Sequence, residues 1–131
     1  MSEIIFSTAF ESFTLNRCKM EVNLSDPWFE AVKTGRKIVE GRVKRTKWAT
    51  VNIGDHWRIS SQRGEILSVE VVDIREYISF EDYLINEGLR LTLPGITNLR
   101  SAIDLYEQYC GKGADKDNRV IAFEIKVISQ A

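Results

Sequence analysis

"SDPWFEAVKTGRKIVEGR", residues 25–42, decides how the rest of the chain is read. Asp26 can cap the free amide hydrogens of a first helical turn, and Pro27 sits where its missing N–H costs nothing. Trp28, Ala31 and Val32 recur at helical spacing. Gly35 can take the left-handed conformation that ends a helix. The spacing predicts a short helix over 25–35 that stops directly before "GRKIVEGR" (35–42). This second stretch has the β-branched core of a strand, yet it carries Arg36, Lys37, Arg42 and Glu40. That is more charge than a strand buried on both faces tolerates.

Strand alternation places Arg36, Ile38, Glu40 and Arg42 on one face and Lys37, Val39, Gly41 and Val43 on the other. Glu40 then pairs most simply with Arg42 or Arg36. Lys37 falls among apolar side chains, where desolvation would lower its pKa and make it a candidate for chemistry or an anion contact. The plainer alternative is that Lys37 lies near the strand end and snorkels to water.

The cations continue past the strand. Lys33, Arg36, Lys37, Arg42, Lys44, Arg45 and Lys47 are accompanied by Glu40 as the sole carboxylate between residues 33 and 47. The whole chain has a net charge of -1, so this basic patch is local. With Trp48 beside it, the patch suits a phosphate-bearing or nucleotide partner, because cations meet phosphates and aromatics stack on bases. A solvated edge strand, protected from aggregation by its lysines, explains the same composition equally well.

Outward from this region, "KMEVNL" (19–24) alternates as a half-buried strand. "VKRTKWATVNIGD" reads as a basic loop, followed by strands at "HWRISS" and "GEILSVEVVDIREY". "SFEDYLINEG" and "NLRSAIDLYEQYCG" read as helices, joined by the turn-rich "LTLPGITN". A glycine-rich charged loop, "GKGADKDN", leads to a closing strand, "RVIAFEIKVI". Trp28, Tyr106 and Tyr109 read as core, His56 as surface, and Glu81 with Asp82 as a first-turn preference. The order shows no regular βαβ alternation. It predicts an α+β fold with about five or six mostly antiparallel strands curled into a small barrel and flanked by short helices. Residues 1–18 are expected to form an N-terminal extension and 19–131 a single domain.

Composition narrows the function. A 44% apolar share supports a core of ordinary size. Cys18 and Cys110 fit no metal spacing or disulfide framework, and a single histidine, His56, argues against a zinc site. No metal or cofactor is expected. No apolar run has membrane-spanning length and no signal peptide opens the chain, so an intracellular protein, monomeric by default, is expected.

Residues 24–42 resemble the signature of the ASCH domain, a PUA-like family: a short helix carrying Pro-Trp, a glycine, a lysine two residues on, and Glu-Gly-Arg. Downstream, "IGD", the Val-rich strand, "EGLRLTLPG", a tyrosine-bearing helix and the closing strand keep the expected order over about residues 19–129. The resemblance implies a PUA-like β-barrel with a cleft beside the helix and the motif strand. It also implies a nucleic-acid partner, with RNA or another single strand contacted by Arg36, Lys37, Arg42, Lys44, Arg45, Lys47 and Trp48.

One bacterial branch of the family removes the acyl group from N4-acetylcytidine, using a lysine, a threonine three residues later and a downstream glutamate. Lys37 matches that lysine, Glu40 stands at the threonine position, and Glu87 aligns loosely with the glutamate. A modified nucleoside is thus the alternative partner, with Lys37, Glu40 and Glu87 as the catalytic set. A protein-interaction domain with a decayed site is the third reading.

Overall fold

The structure, a computed structural model, describes residues 18–130. The expected N-terminal extension therefore lies, but for Cys18, outside the described residues. In chain order the elements are β1 (Cys18–Asn23), α1 (Trp28–Lys33), β2 (Val39–Val43), α2 (Thr46–Ala49), β3 (His56–Ser60), β4 (Ile66–Tyr77), α3 (Phe80–Glu87), α4 (Leu89–Thr92), α5 (Leu99–Cys110), α6 (Ala114–Asp117) and β5 (Val120–Gln130). The strands form one sheet in the order β1-β3-β4-β5-β2. β1 runs parallel to β3 and every other neighbouring pair is antiparallel. The result is the expected α+β architecture, a mixed five-stranded half-barrel with helices packed on it. No helix among the described residues is long and apolar enough to cross a membrane.

β3 and the first half of β4 turn alternate residues inward, while β2 and the start of β5 are buried on both faces. Trp57 and Ile59 of β3, Leu67, Val69 and Val71 of β4, and Phe123 and Ile125 of β5 are all buried. Trp57, Phe123 and Trp48 pack edge-on or tilted within 5.1–6.0 Å of one another. Ser79 caps α3 by accepting from the Asp82 N–H, and Asn98 caps α5 by accepting from the Ser101 N–H. Three four-residue helices are not predicted from the sequence: α2 and α6 lie inside segments read as loops, and α4 starts two residues before the turn-rich connection. Helices this short carry no amphipathic period, which is why periodicity does not reveal them.

Two local expectations are corrected. Asp26 does not cap α1; Pro27 holds the N-cap position, and the Asp26 carboxylate accepts instead from Arg63 Nη1 at 2.8 Å. Tyr109 is 58% exposed and is not core, because the last turn of α5 extends past the surface that buries Tyr106.

Candidate functional site

The helix end predicted at Gly35 builds the site. Gly35 has φ +79°. Its N–H donates to Val32 C=O at 3.0 Å and the Arg36 N–H to Ala31 C=O at 2.9 Å, the paired bonds of a Schellman turn. Lys37 N–H also donates to Ala31 C=O, at 3.0 Å. The strand begins only at Val39, so Lys37 lies in the turn and does not obey strand alternation. Lys37 is 2% exposed, and its side chain reaches the same carboxylate as Arg42, not an opposite apolar face. The snorkelling alternative is excluded by that burial.

At the centre is a buried ion triad. Lys37 Nζ lies 3.0 Å from Glu40 Oε1, and Arg42 Nη2 lies 2.7 Å from Glu40 Oε2. Arg42 Nε donates to the same Oε2 at 2.7 Å. Lys37 Nζ also donates to Val39 C=O at 2.7 Å and Thr92 C=O at 2.6 Å. Three acceptors match the three hydrogens of an ammonium group. Burial alone would push the Glu40 carboxyl up, but Lys37 and Arg42 together hold it below the usual carboxylate range. Burial pushes Lys37 down, against the opposing pull of Glu40. Burial also disfavours the Arg42 charge, yet Glu40 raises its pKa overall.

The triad lines a cleft of about 270 Å³. Asn23, Leu24 and Ser25 from the end of β1 form one side, and Glu40, Gly41 and Arg42 of β2 the other. Trp28 of α1 and Tyr106, Tyr109 and Cys110 of α5 supply the remaining wall, with Leu93 and Lys37. Trp28 Nε1 donates to Tyr109 Oη at 3.3 Å, bridging the two helices at the mouth. Tyr106 and Tyr83 share a hydrogen bond of 2.7 Å. Burial, together with Glu40 nearby, pushes Tyr106 well above the ordinary phenol range. Burial likewise raises the Cys110 thiol.

The other sequence candidates fall around this cleft unevenly. Trp48 is half-buried and keyed into the core by Trp57 and Phe123, while Arg42 lies 4.5 Å and Lys47 5.0 Å from its ring centre. Arg45 and Lys47 are exposed. Arg36 is exposed and donates to Thr34 Oγ1 at 3.0 Å, so it is not the partner of Glu40. Lys44 is tied to Glu76 at 2.8 Å.

Glu87 does not line the cleft. Its two oxygens accept from Arg75 Nε and Nη2 at 2.6 and 2.9 Å, and from Tyr77 Oη at 2.6 Å. Trp28, Tyr106, Tyr109 and Cys110 are among the cleft residues that the sequence places in a core or leaves without a role. Their apolar stripe spacing is the same whether the stripe faces a core or a cleft. Among the described residues no group of three His, Cys, Asp or Glu side chains is placed to hold a metal ion.

The ASCH domain model matches residues 22–128. The chain belongs to the ASCH domain family. Hypothetical protein PH0355, known from a crystal structure, is 33% identical with a TM-score of 0.74, covering 83% of this chain and 98% of that one. Protein PF0455 from Pyrococcus furiosus, solved by NMR, is also 33% identical, with a TM-score of 0.69 and coverage of 84% and 97%. ASCH from Zymomonas mobilis is 16% identical with a TM-score of 0.59 over 86% of this chain and 72% of that one, a likeness of fold alone. A comparison with curated proteins finds no match. In this ASCH domain the Gly-Arg-Lys…Glu-Gly-Arg motif is thus a Schellman turn that delivers a lysine to a buried carboxylate.

Proposed function

We propose that this ASCH domain binds single-stranded RNA by taking one nucleobase into the cleft. The family is linked to RNA binding and to amidohydrolase activity. The observation that carries the reading is the placement of Arg42. It joins the buried triad at the cleft wall to the face of Trp48, and exposed Arg45 and Lys47 continue the positive charge outward. The cleft volume lies near the lower end of small-ligand pockets, roughly 300–1,000 Å³, which suits one base and not a folded helix. Tyr109 and Trp28 give that base aromatic contact at the mouth. Arg45 and Lys47 are exposed and have no ion-pair partner among the described residues, whereas Lys44 is occupied by Glu76.

Fluorescence anisotropy with labelled single-stranded RNA across a salt series tests this. With about three phosphates neutralised, the slope of log affinity against log salt is about -2. Neutralising Arg45 and Lys47 together (Arg45→Gln, Lys47→Gln) flattens that slope by about 1.4. Affinity too weak to measure at low salt, or a slope unmoved by the double substitution, overturns the reading.

A second reading is hydrolysis of an N-acylated nucleoside such as N4-acetylcytidine. It is favoured by one observation, a buried lysine of lowered pKa beside a carboxylate in the cleft. Against it, all three Lys37 hydrogens have acceptors and both Glu40 oxygens have cations, while Glu87 is held by Arg75 and Tyr77. Mass spectrometry of the nucleoside incubated with wild type and with a folded Lys37→Ala variant decides. Turnover by the wild type alone establishes hydrolysis; turnover by neither removes it.

A further inference from the structure

β1 and β2 are the two edges of the sheet, and both line the cleft. The cleft is therefore the seam along which the half-barrel stays open. A sheet edge carries backbone N–H and C=O groups with no strand to pair them. In an antiparallel ladder every second residue turns both groups toward its neighbour, and the residues between turn both away. Ile125 N–H donates to Ile38 C=O at 2.9 Å, and Lys44 N–H to Arg119 C=O at 2.7 Å. The β2–β5 register between these pairs is unbroken. So Ile38, Glu40, Arg42 and Lys44 face β5, and Val39, Gly41 and Val43 turn toward the seam.

Val39 C=O is taken by Lys37 Nζ at 2.7 Å, and Val43 C=O by the Arg45 N–H at 2.8 Å. Val43 N–H meets the Cys110 sulfur. Gly41 lies between them in the cleft wall, and neither of its backbone groups has a partner on the seam side among the described residues. Its side-chain face is closed by Tyr83: a Cβ there would clash with the ring. Glycine lets the ring pack down and leaves a bare backbone edge facing the cleft.

We infer that the N–H and C=O of Gly41 read the edge of the entering nucleobase, and that this base carries an N–H flanked by carbonyl oxygens, as uracil does. The inference rests on the binding reading above. An extended residue presents its donor and acceptor side by side, so it meets an acceptor beside a donor on the ligand. The surroundings select the type of base. Both Glu40 oxygens are occupied by cations, so the triad offers the base donors and no uncommitted carboxylate. Arg42 commits Nε and Nη2 to Glu40, leaving Nη1 as a donor. The Tyr83–Tyr106 hydroxyl pair uses one of its hydrogens in their mutual bond and keeps the other to donate. Surplus donors fit a second carbonyl better than an amino group.

The test uses the full chain labelled with [15N]glycine, which gives eight glycine amides. Oligouridylate is titrated in by NMR, while anisotropy compares it with oligoadenylate and with an oligonucleotide of N3-methyluridine at one salt concentration. The expected result is the largest amide shift at Gly41, tighter binding of oligouridylate than oligoadenylate, and about tenfold weaker binding after N3-methylation. If RNA binds but the Gly41 amide does not move, or N3-methylation costs nothing, this inference falls and the binding reading stands. If no oligonucleotide binds at low salt, the binding reading fails and takes the inference with it.

Discussion

Glu40 holds Lys37 with one oxygen and Arg42 with the other, and its side chain is only 9% exposed. Removing one partner from a buried ionic group leaves uncompensated charge, which costs about 3–5 kcal/mol. Glu40→Ala is therefore expected to lose about that much stability in urea unfolding, and Glu40→Gln nearly as much. The pH dependence follows from the direction of the Glu40 shift. Its folded pKa lies below its ordinary value of 4.5, so the carboxylate contributes stability that is fully present above 4.5. That contribution is lost as pH falls through the folded value. Wild type minus Glu40→Gln should show a stability difference that shrinks below pH 4.5; a difference constant with pH would contradict an ionised Glu40. Lys37 fixes three acceptors in place. It ties the Thr92 C=O at the end of α4 to β2.

At the scale of elements, two glycines and one arginine hold the site in register. Gly35 ends α1 at φ +79°, and Gly35→Ala should cost about 1 kcal/mol through the left-handed penalty. Gly41→Ala has a different cause, a Cβ driven into the Tyr83 ring. Overpacking of this kind costs about 1–3 kcal/mol, and thermal unfolding should show a drop in Tm larger than that of Gly35→Ala. Arg75 of β4 grips Glu87 of α3 through two hydrogen bonds and also reaches Asp73 and Glu124. Glu87→Gln should lower stability by about 1–2 kcal/mol and leave RNA affinity unchanged, since Glu87 ties a helix to the sheet outside the cleft. An affinity that falls with this substitution would return Glu87 to the site.

For the molecule as a whole, the open seam leaves a cleft in a sheet of ordinary composition. The net charge of -1 gives no general attraction for nucleic acid. On the binding reading the attraction has to come from local cations: Arg42 and Lys47 lie over Trp48, and Arg45 is exposed. Binding should therefore weaken with salt, and neutralising a cation that does not line the cleft, such as Arg100→Gln on α5, should leave the salt slope unchanged in the anisotropy series.

Much of this was legible in the sequence for reasons of local physics. The α1 helix, the stop at Gly35 and the β-branched strands depend on spacing and backbone preference within a few residues. The local excess of cations between Lys33 and Lys47 is likewise a property of the chain. The tertiary structure alone decided which of those cations are committed. Alternation sent Lys37 away from Glu40, but the strand starts two residues later and the turn brings Nζ to the carboxylate. Loose alignment put Glu87 with Lys37, but Arg75 and Tyr77 hold it elsewhere. The cleft walls from Asn23, Gly41 and Tyr106 are far apart in sequence, and nothing in their spacing marks them as neighbours. They meet because the sheet curls until its two edges face each other without pairing, and that closure is a property of the folded sheet and not of any single segment.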